Sequence, residues 1–299
     1  MAGPIEFILA GVLVGFCVGV TGVGGGSLMT PILISLFKIE PHIAIGTDLL
    51  YAAISKFCGS FVHAKKMNIV WPIVIWLAVG SIPASFITHW VLDNYLSQST
   101  HYKAVLTMVL GFMLTLTGIS IVFRTKIEAF FNRYRKDVRE DHSADLSKAS
   151  IALQAKNKRV LIVLMGIVLG VFVTLSSVGA GAFGIMALVL MFPNLPMIRI
   201  IGSDVVHAVL LTLVAGLGYM SAGNVDFNLL MWLLVGSIPA IIVGTLVSSR
   251  LPEKIIRKIL GLTLMVIGIN FMLNPVKTKP VQALQIESIQ QLAAPIQKV

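Results

Sequence analysis

Runs of roughly 20 apolar residues recur along this chain, and they mark lipid as its solvent. Only helices or closed barrels can span a bilayer, because every backbone polar group there must find its partner inside the structure. The runs do not alternate apolar with polar residues, so they read as helices and not strands. The expected segments are roughly 5–20, 27–37, 42–63, 70–92 and 102–123, then, after a polar stretch, 160–176, 182–192, 198–220, 227–249 and 255–273.

Composition closes off the other classes. The 299 residues are 57% hydrophobic and 12% charged, with a mean hydropathy of +0.92. A soluble domain carries about 25% charged residues, and these are too few to coat a core. A soluble enzyme, a disordered chain and a disulfide scaffold are therefore excluded. Cys17 and Cys58 both lie in apolar runs and form no CxxC, which excludes a cysteine zinc site. No Lys or Arg precedes Lys38, so 5–20 lacks the positive flank of a secretory signal and reads as a retained membrane segment.

The two sets of segments repeat each other. WLAVGSIPA at Trp76–Ala84 returns as WLLVGSIPA at Trp232–Ala240, 156 residues later. The same offset places Gly46-Thr47-Asp48 on Gly202-Ser203-Asp204 and Asn68 on Asn224. One residue short of it, Val23-Gly24-Gly25-Gly26 falls on Val178-Gly179-Ala180-Gly181. A shared offset over some 60 residues points to a duplicated membrane unit, as transporters show. The expected fold is all-α, a polytopic bundle of two inverted repeats, each a broken-helix hairpin plus three transmembrane helices. Residues 1–123 and 160–273 would be the repeats, 124–159 a basic linker and 274–299 a flexible polar tail.

The net charge of +10 is read through topology. If 5–20 and 27–37 enter and leave on one side, seventeen of the 23 lysines and arginines fall on one side and five on the other. The positive-inside rule then puts the linker in the cytoplasm and both termini outside it, with an inner (plasma) membrane as the location. In the linker, Ile127, Phe130, Phe131, Tyr134 and Val138 recur at helical spacing among Arg133, Arg135, Lys136 and Arg139. That pattern suits a helix on an anionic membrane surface, and no nucleic-acid partner is expected.

Three groups of residues carry chemistry. Thr21-Gly22-Val23-Gly24-Gly25-Gly26-Ser27 precedes an apolar helix, and four glycines in five positions disfavour a regular helix. Such a break frees backbone N–H groups at a helix start, which attract anions. Ser176-Ser177-Val178-Gly179-Ala180-Gly181 is a weaker copy. Close helix packing through small residues is the other reading of both. Non-helical backbone at membrane depth needs protein or water around it, so a buried polar cavity is expected.

Asp48 and Asp204 each lie about 9 Å inside an expected helix. They read as proton acceptors or ion ligands, or as N-caps with Gly46 and Gly202 marking chain breaks. Lys56 is the lysine deep in a span, facing an anion pathway or pairing with Asp204, or else reaching back to the interface. His207 stands three residues beyond Asp204, within hydrogen-bonding distance on a helix. Pro83 and Pro239 sit mid-span and should kink equivalent helices. No catalytic motif and no metal or cofactor signature is present in the sequence.

The combination TGVGGGSLMTPIL, AIGTDLLYAAISK and GSDVVHAVLLTLVAGLGYMSAGNVDF resembles the TauE/SafE family of sulfite exporters, over about residues 5–273. The resemblance implies a bacterial inner-membrane carrier of sulfite, sulfonates or related organosulfur anions. It implies a pathway through Gly24, Gly25, Gly26, Thr47, Asp48, Gly179, Gly181, Ser203 and Asp204. With the residue reading above, Thr21, Ser27 and Ser177 join the expected anion contacts, and Asp48, Lys56, Asp204 and His207 the coupling charges. An intramembrane enzyme acting on a lipid phosphate and a passive anion channel are the alternatives to a carrier.

Overall fold

The computed structural model describes residues 3–21, 26–63, 69–96, 102–135, 156–179, 181–192, 195–248 and 253–275. These residues form helices and no strand: α1 (Pro4–Thr21), α2 (Gly26–Ser35), α3 (Pro41–His63), α4 (Trp71–Val91), α5 (Tyr102–Arg135), α6 (Lys156–Ser176), α7 (Ala182–Met191), α8 (Met197–Ser221), α9 (Phe227–Val247) and α10 (Glu253–Leu273). A short π-helical turn, Leu92–Leu96, extends α4. Seven helices are long and apolar enough to cross a membrane, namely α1, α4, α5, α6, α8, α9 and α10. The chain is an all-α membrane protein. With 23 residues α3 is long enough, but it carries both Asp48 and Lys56 and falls outside that set, whereas its duplicate α8 is within it. The ten-residue α2 and α7 reach only about 15 Å, half a bilayer.

Glycines let helices from the two halves of the chain touch backbone to backbone. A Cβ at Gly11, Gly15 or Gly19 of α1 would lie 2.4, 2.5 or 2.4 Å from the carbonyl oxygens of Leu233, Ser237 and Ile241 on α9. The register advances in step, so α1 and α9 run parallel. Gly80 of α4 meets Val163, and Gly166 and Gly170 of α6 meet Leu77 and Ser81, again in parallel. This is the small-xxx-small packing that membrane helices use in place of a hydrophobic driving force.

Duplicated helices also pair with each other, and they do so head to tail. Gly46 lies against Tyr219 and Gly216 against Leu50, which makes α3 and α8 antiparallel. Gly111 meets Gly268 and Gly118 meets Gly261, so α5 and α10 are antiparallel too. Lys103 at the start of α5 reaches Glu40 before α3, and the Phe7 ring of α1 meets that of Phe37 at a tilt, centroids 5.0 Å apart. Thus α1, α3 and α5 begin on one side of the bundle, and α10 ends there.

Two local expectations change. Gly46 and Gly202 do not interrupt their helices: α3 and α8 run unbroken through them. At Gly46 the reason is space, since a Cβ would lie 2.2 Å from the Asn224 carbonyl oxygen. The amphipathic stretch from Ile127 does not start a helix of its own, because α5 continues through it to Arg135. Its remainder, and the tail from 276, lie outside the described residues. Pro83 and Pro239 each sit inside a continuous helix.

Two outcomes follow from the packing. Gly15→Leu should lower the thermal unfolding midpoint in detergent, by about 1–3 kcal/mol of overpacking or more. Gly3→Ala, with nothing within 4 Å, should leave it unchanged. Glu40 is held below the usual carboxylate range by its 2.7 Å hydrogen bond from Lys103. Its contribution is present at neutral pH and lost as pH falls through that lowered value. Lys103→Met should therefore cost under about 1 kcal/mol at pH 7, and the cost should vanish in acid, measured as unfolding midpoint against pH.

Candidate functional site

The second hairpin is broken in the interior. α1 stops at Thr21 and α2 starts at Gly26; Gly22, Val23, Gly24 and Gly25 lie outside the described residues. In the second half the break is visible in detail. Ser177 takes φ 58°, Gly179 φ 111° and Gly181 φ 144°, which are left-handed values that glycine tolerates and serine adopts only under constraint. Ser176 fixes the turn, accepting from the Val178 N–H at 3.2 Å and donating to the Phe172 carbonyl at 2.6 Å. α7 then begins after Gly181 without a side-chain cap.

Asp48 meets this break from the other half of the chain. It is fully buried on α3 and accepts a short hydrogen bond from Thr30 of α2. Ser177 stands beside its carboxylate without reaching hydrogen-bond geometry, and Asp48 Oδ1 and Ser177 Oγ both lack a hydrogen-bond partner among the described residues. A buried carboxylate, two hydroxyls and strained backbone thus converge from α2, α3 and the α6–α7 turn. Ser27 is buried one turn before Thr30.

Asp204 is the counterpart, and its surroundings differ. It is buried on α8 facing the bare backbone of Gly184, where a Cβ would lie 2.2 Å from Oδ1. Neither of its oxygens has a hydrogen-bond partner among the described residues. Lys56 supplies the nearby positive charge: it interacts electrostatically most with Asp204 and then with Asp48, and it also acts on His207. From the α3–α8 register, the two acids are staggered by about 20 Å along the bundle, with Lys56 at an intermediate level. Both acids lie inside continuous helices, so neither is an N-cap.

The remaining expected residues fall into a seam between the halves. Thr47 accepts a hydrogen bond from the Asp226 N–H at 3.0 Å, and Ser203 accepts one from the Val70 N–H at 2.9 Å. Positions 70 and 226 are themselves duplicates, so each hydroxyl satisfies the start of the other half's spanning helix. Thr21 donates to the Cys17 carbonyl, and its own carbonyl accepts from Arg257 of α10 at 3.0 Å, a cation at the negative end of α1. His207 and Ser81 are hydrogen-bonded at 2.8 Å.

The sequence reading missed three of these partners. Ser81 and Ser237, the serines of the repeated GSIPA motif, face the duplicate residues His207 and Tyr51 of the opposite half. Their recurrence at the common offset was the available signal. Thr30 had none, because Ile185 stands near its place in the second half. A groove lined by Glu6, Leu9, Leu13, Ile32, Leu36 and Phe37 is open and mostly apolar, and lies away from the acids. Among the described residues no cluster of His, Cys, Asp and Glu has metal-binding geometry.

Known proteins match this sequence along nearly its whole length. The family model described as sulfite exporter TauE/SafE matches residues 7–271. A probable membrane transporter protein of Bacillus subtilis (strain 168), YjnA, is 35% identical over 265 residues, covering 89% of this chain and 98% of that protein. A second from the same organism, YdhB, is 27% identical over 88% of this chain and 97% of its own length. A probable membrane transporter protein of Xylella fastidiosa (strain Temecula1 / ATCC 700964) is 25% identical over 89% and 93%. No solved structure matches. With seven helices fit to span a bilayer and a family match covering all of them but the ends, this chain is a multi-pass membrane protein of the sulfite exporter TauE/SafE family.

Proposed function

We propose that this protein is a secondary carrier of a small organosulfur anion, sulfite or a sulfonate, working by alternating access with proton coupling. One observation carries the reading: the carboxylate of Asp48, from the first half, is buried beside Ser177 of the second, where the backbone leaves the helix with left-handed φ at Ser177, Gly179 and Gly181. Backbone of this kind inside a bilayer bundle belongs to substrate sites of carriers built from broken helices. The uncapped start of α7 offers N–H donors to an oxyanion. A charged Asp48 would repel that anion, so the carboxyl binds it protonated, or with Lys56 as counter-charge. Asp204, with Lys56 as its nearby positive charge, plays the same part at the other level.

The antiparallel pairing of α3 with α8 and of α5 with α10 supports reading residues 1–123 and 160–273 as inverted copies. With the basic linker in the cytoplasm, both termini lie on the periplasmic side. The relatives' description as membrane transporters favours transport over chemistry on a lipid phosphate.

Proteoliposome flux of sulfite and of a small sulfonate tests this. Saturable uptake stimulated by a pH gradient is expected; single-channel currents would mean a passive pore. Asp48→Asn and Asp204→Asn should remove the response to the gradient while leaving counterflow exchange measurable. Unchanged gradient dependence in both variants would overturn proton coupling. Ser177→Gly, which accepts φ 58° without strain, should leave the unfolding midpoint in place and raise KM about tenfold, the loss of one hydrogen bond to a charged ligand.

A further inference from the structure

The duplicated starts of α3 and α8 are built differently. At the start of α3, Glu40 occupies the position before the first helical residue and its main-chain carbonyl accepts the Ala44 N–H at 2.9 Å. Its carboxylate puts negative charge at the positive end of the helix, and Lys103 and His42 pair with it at 2.7 and 3.4 Å. The same position before α8 is Pro196, which has no acceptor side chain, and α8 has no side-chain cap.

Three residues further on, α8 carries Arg199 where α3 has Ile43. A cation in the first turn opposes the helix dipole. Arg199 is also only 8% exposed, and its Nη1 has no hydrogen-bond partner among the described residues. Helical side chains lean towards their own N-terminus, which turns the guanidinium towards the first-turn N–H groups of α8. Lys158 of α6 stands over the Phe192 ring at 5.8 Å, at the near end of the same connection, and adds positive field. An uncapped helix start and a buried first-turn guanidinium, whose Nη1 has no hydrogen-bond partner among the described residues, are each unfavourable alone, and one anion would relieve both.

We infer that the start of α8, with Arg199 as its anchor, binds a small oxyanion, which takes the place that Glu40 fills by itself in the other half. Two sources share this chemistry: a free sulfur or phosphorus oxyanion, and the phosphodiester of an anionic phospholipid. Arg199 lies at the end of the bundle where α6 begins, five residues before Asp204 on the same helix. The guanidinium fork suits either, because it meets two oxygens at once. The inference requires only binding, not a transport cycle.

The test uses the full chain, purified in neutral detergent in an anion-poor buffer. Thermal unfolding is followed against sodium sulfite and sodium phosphate, and native mass spectrometry follows retention of added phosphatidylglycerol. Wild type should gain stability with a free oxyanion or retain one phospholipid, and which of the two occurs identifies the source. Arg199→Met should unfold at a higher temperature than wild type before any addition, since a buried charge is gone, and should lose both responses. Arg199→Lys should keep the response with Kd raised about tenfold. No response of the wild type to sulfite, phosphate or phosphatidylglycerol overturns the inference outright, as does an Arg199→Met protein that responds like the wild type. Flux without Arg199-dependent binding sinks this inference and spares the transport reading; Arg199-dependent binding without flux does the reverse.

Discussion

Backbone in lipid has no water to bond with, and that constraint orders the whole molecule. Every place where the chain leaves a helix inside the bundle must be answered by protein. Ser176 answers the turn after α6, and Arg257 answers the end of α1. Thr47 and Ser203 answer the starts of α9 and α4, each across the boundary between the halves. The repeated Gly-Thr-Asp and Gly-Ser-Asp triplets therefore combine two duties in adjacent residues. The hydroxyl closes the seam, and the carboxylate next to it, turned about 100° round the helix, faces the interior.

Charge inside the bundle follows the same economy. Two carboxylates and one ammonium are a costly set for a membrane interior, and they are not distributed by symmetry. Asp48 receives a hydroxyl from Thr30, whereas Asp204 faces a glycine and depends on the lysine between the two levels. Tyr51 faces Ser237, whereas its duplicate His207 is bound to Ser81. The two positions match in the repeated sequence, yet their surroundings are chemically unequal.

Most of the fold was legible in the sequence because lipid makes the signal coarse. A run of apolar residues long enough to cross a bilayer can be little else, and nearly all helix boundaries fell within a few residues of those expected. The site was legible in part. Asp48, Asp204 and Lys56 stand out as charges in apolar surroundings. Thr30 did not, because a threonine in an apolar helix ordinarily bonds its own backbone, and only the third dimension brings it to Asp48. Gly46 misled for a related reason. A glycine that ends a helix and a glycine that admits a neighbouring carbonyl read identically along the chain, and the distance to Asn224 separates them. α5 outran its expected end because helical periodicity carried on through the basic residues that were read as a boundary.

The glycine contacts have a mechanical consequence. α1 is fastened to α9 and α4 to α6, so the tightest interlocks tie the first half of the chain to the second. The units that repeat in sequence are therefore not the units that can slide or tilt as solid pieces. Any large motion must carry α1 together with α9 and α4 together with α6, and its shear planes must run through the looser interfaces around α2, α7 and the turn at Ser177. A severed half, left without its partner, would show lipid a stripe of bare backbone where Gly11, Gly15 and Gly19 now meet carbonyl oxygens.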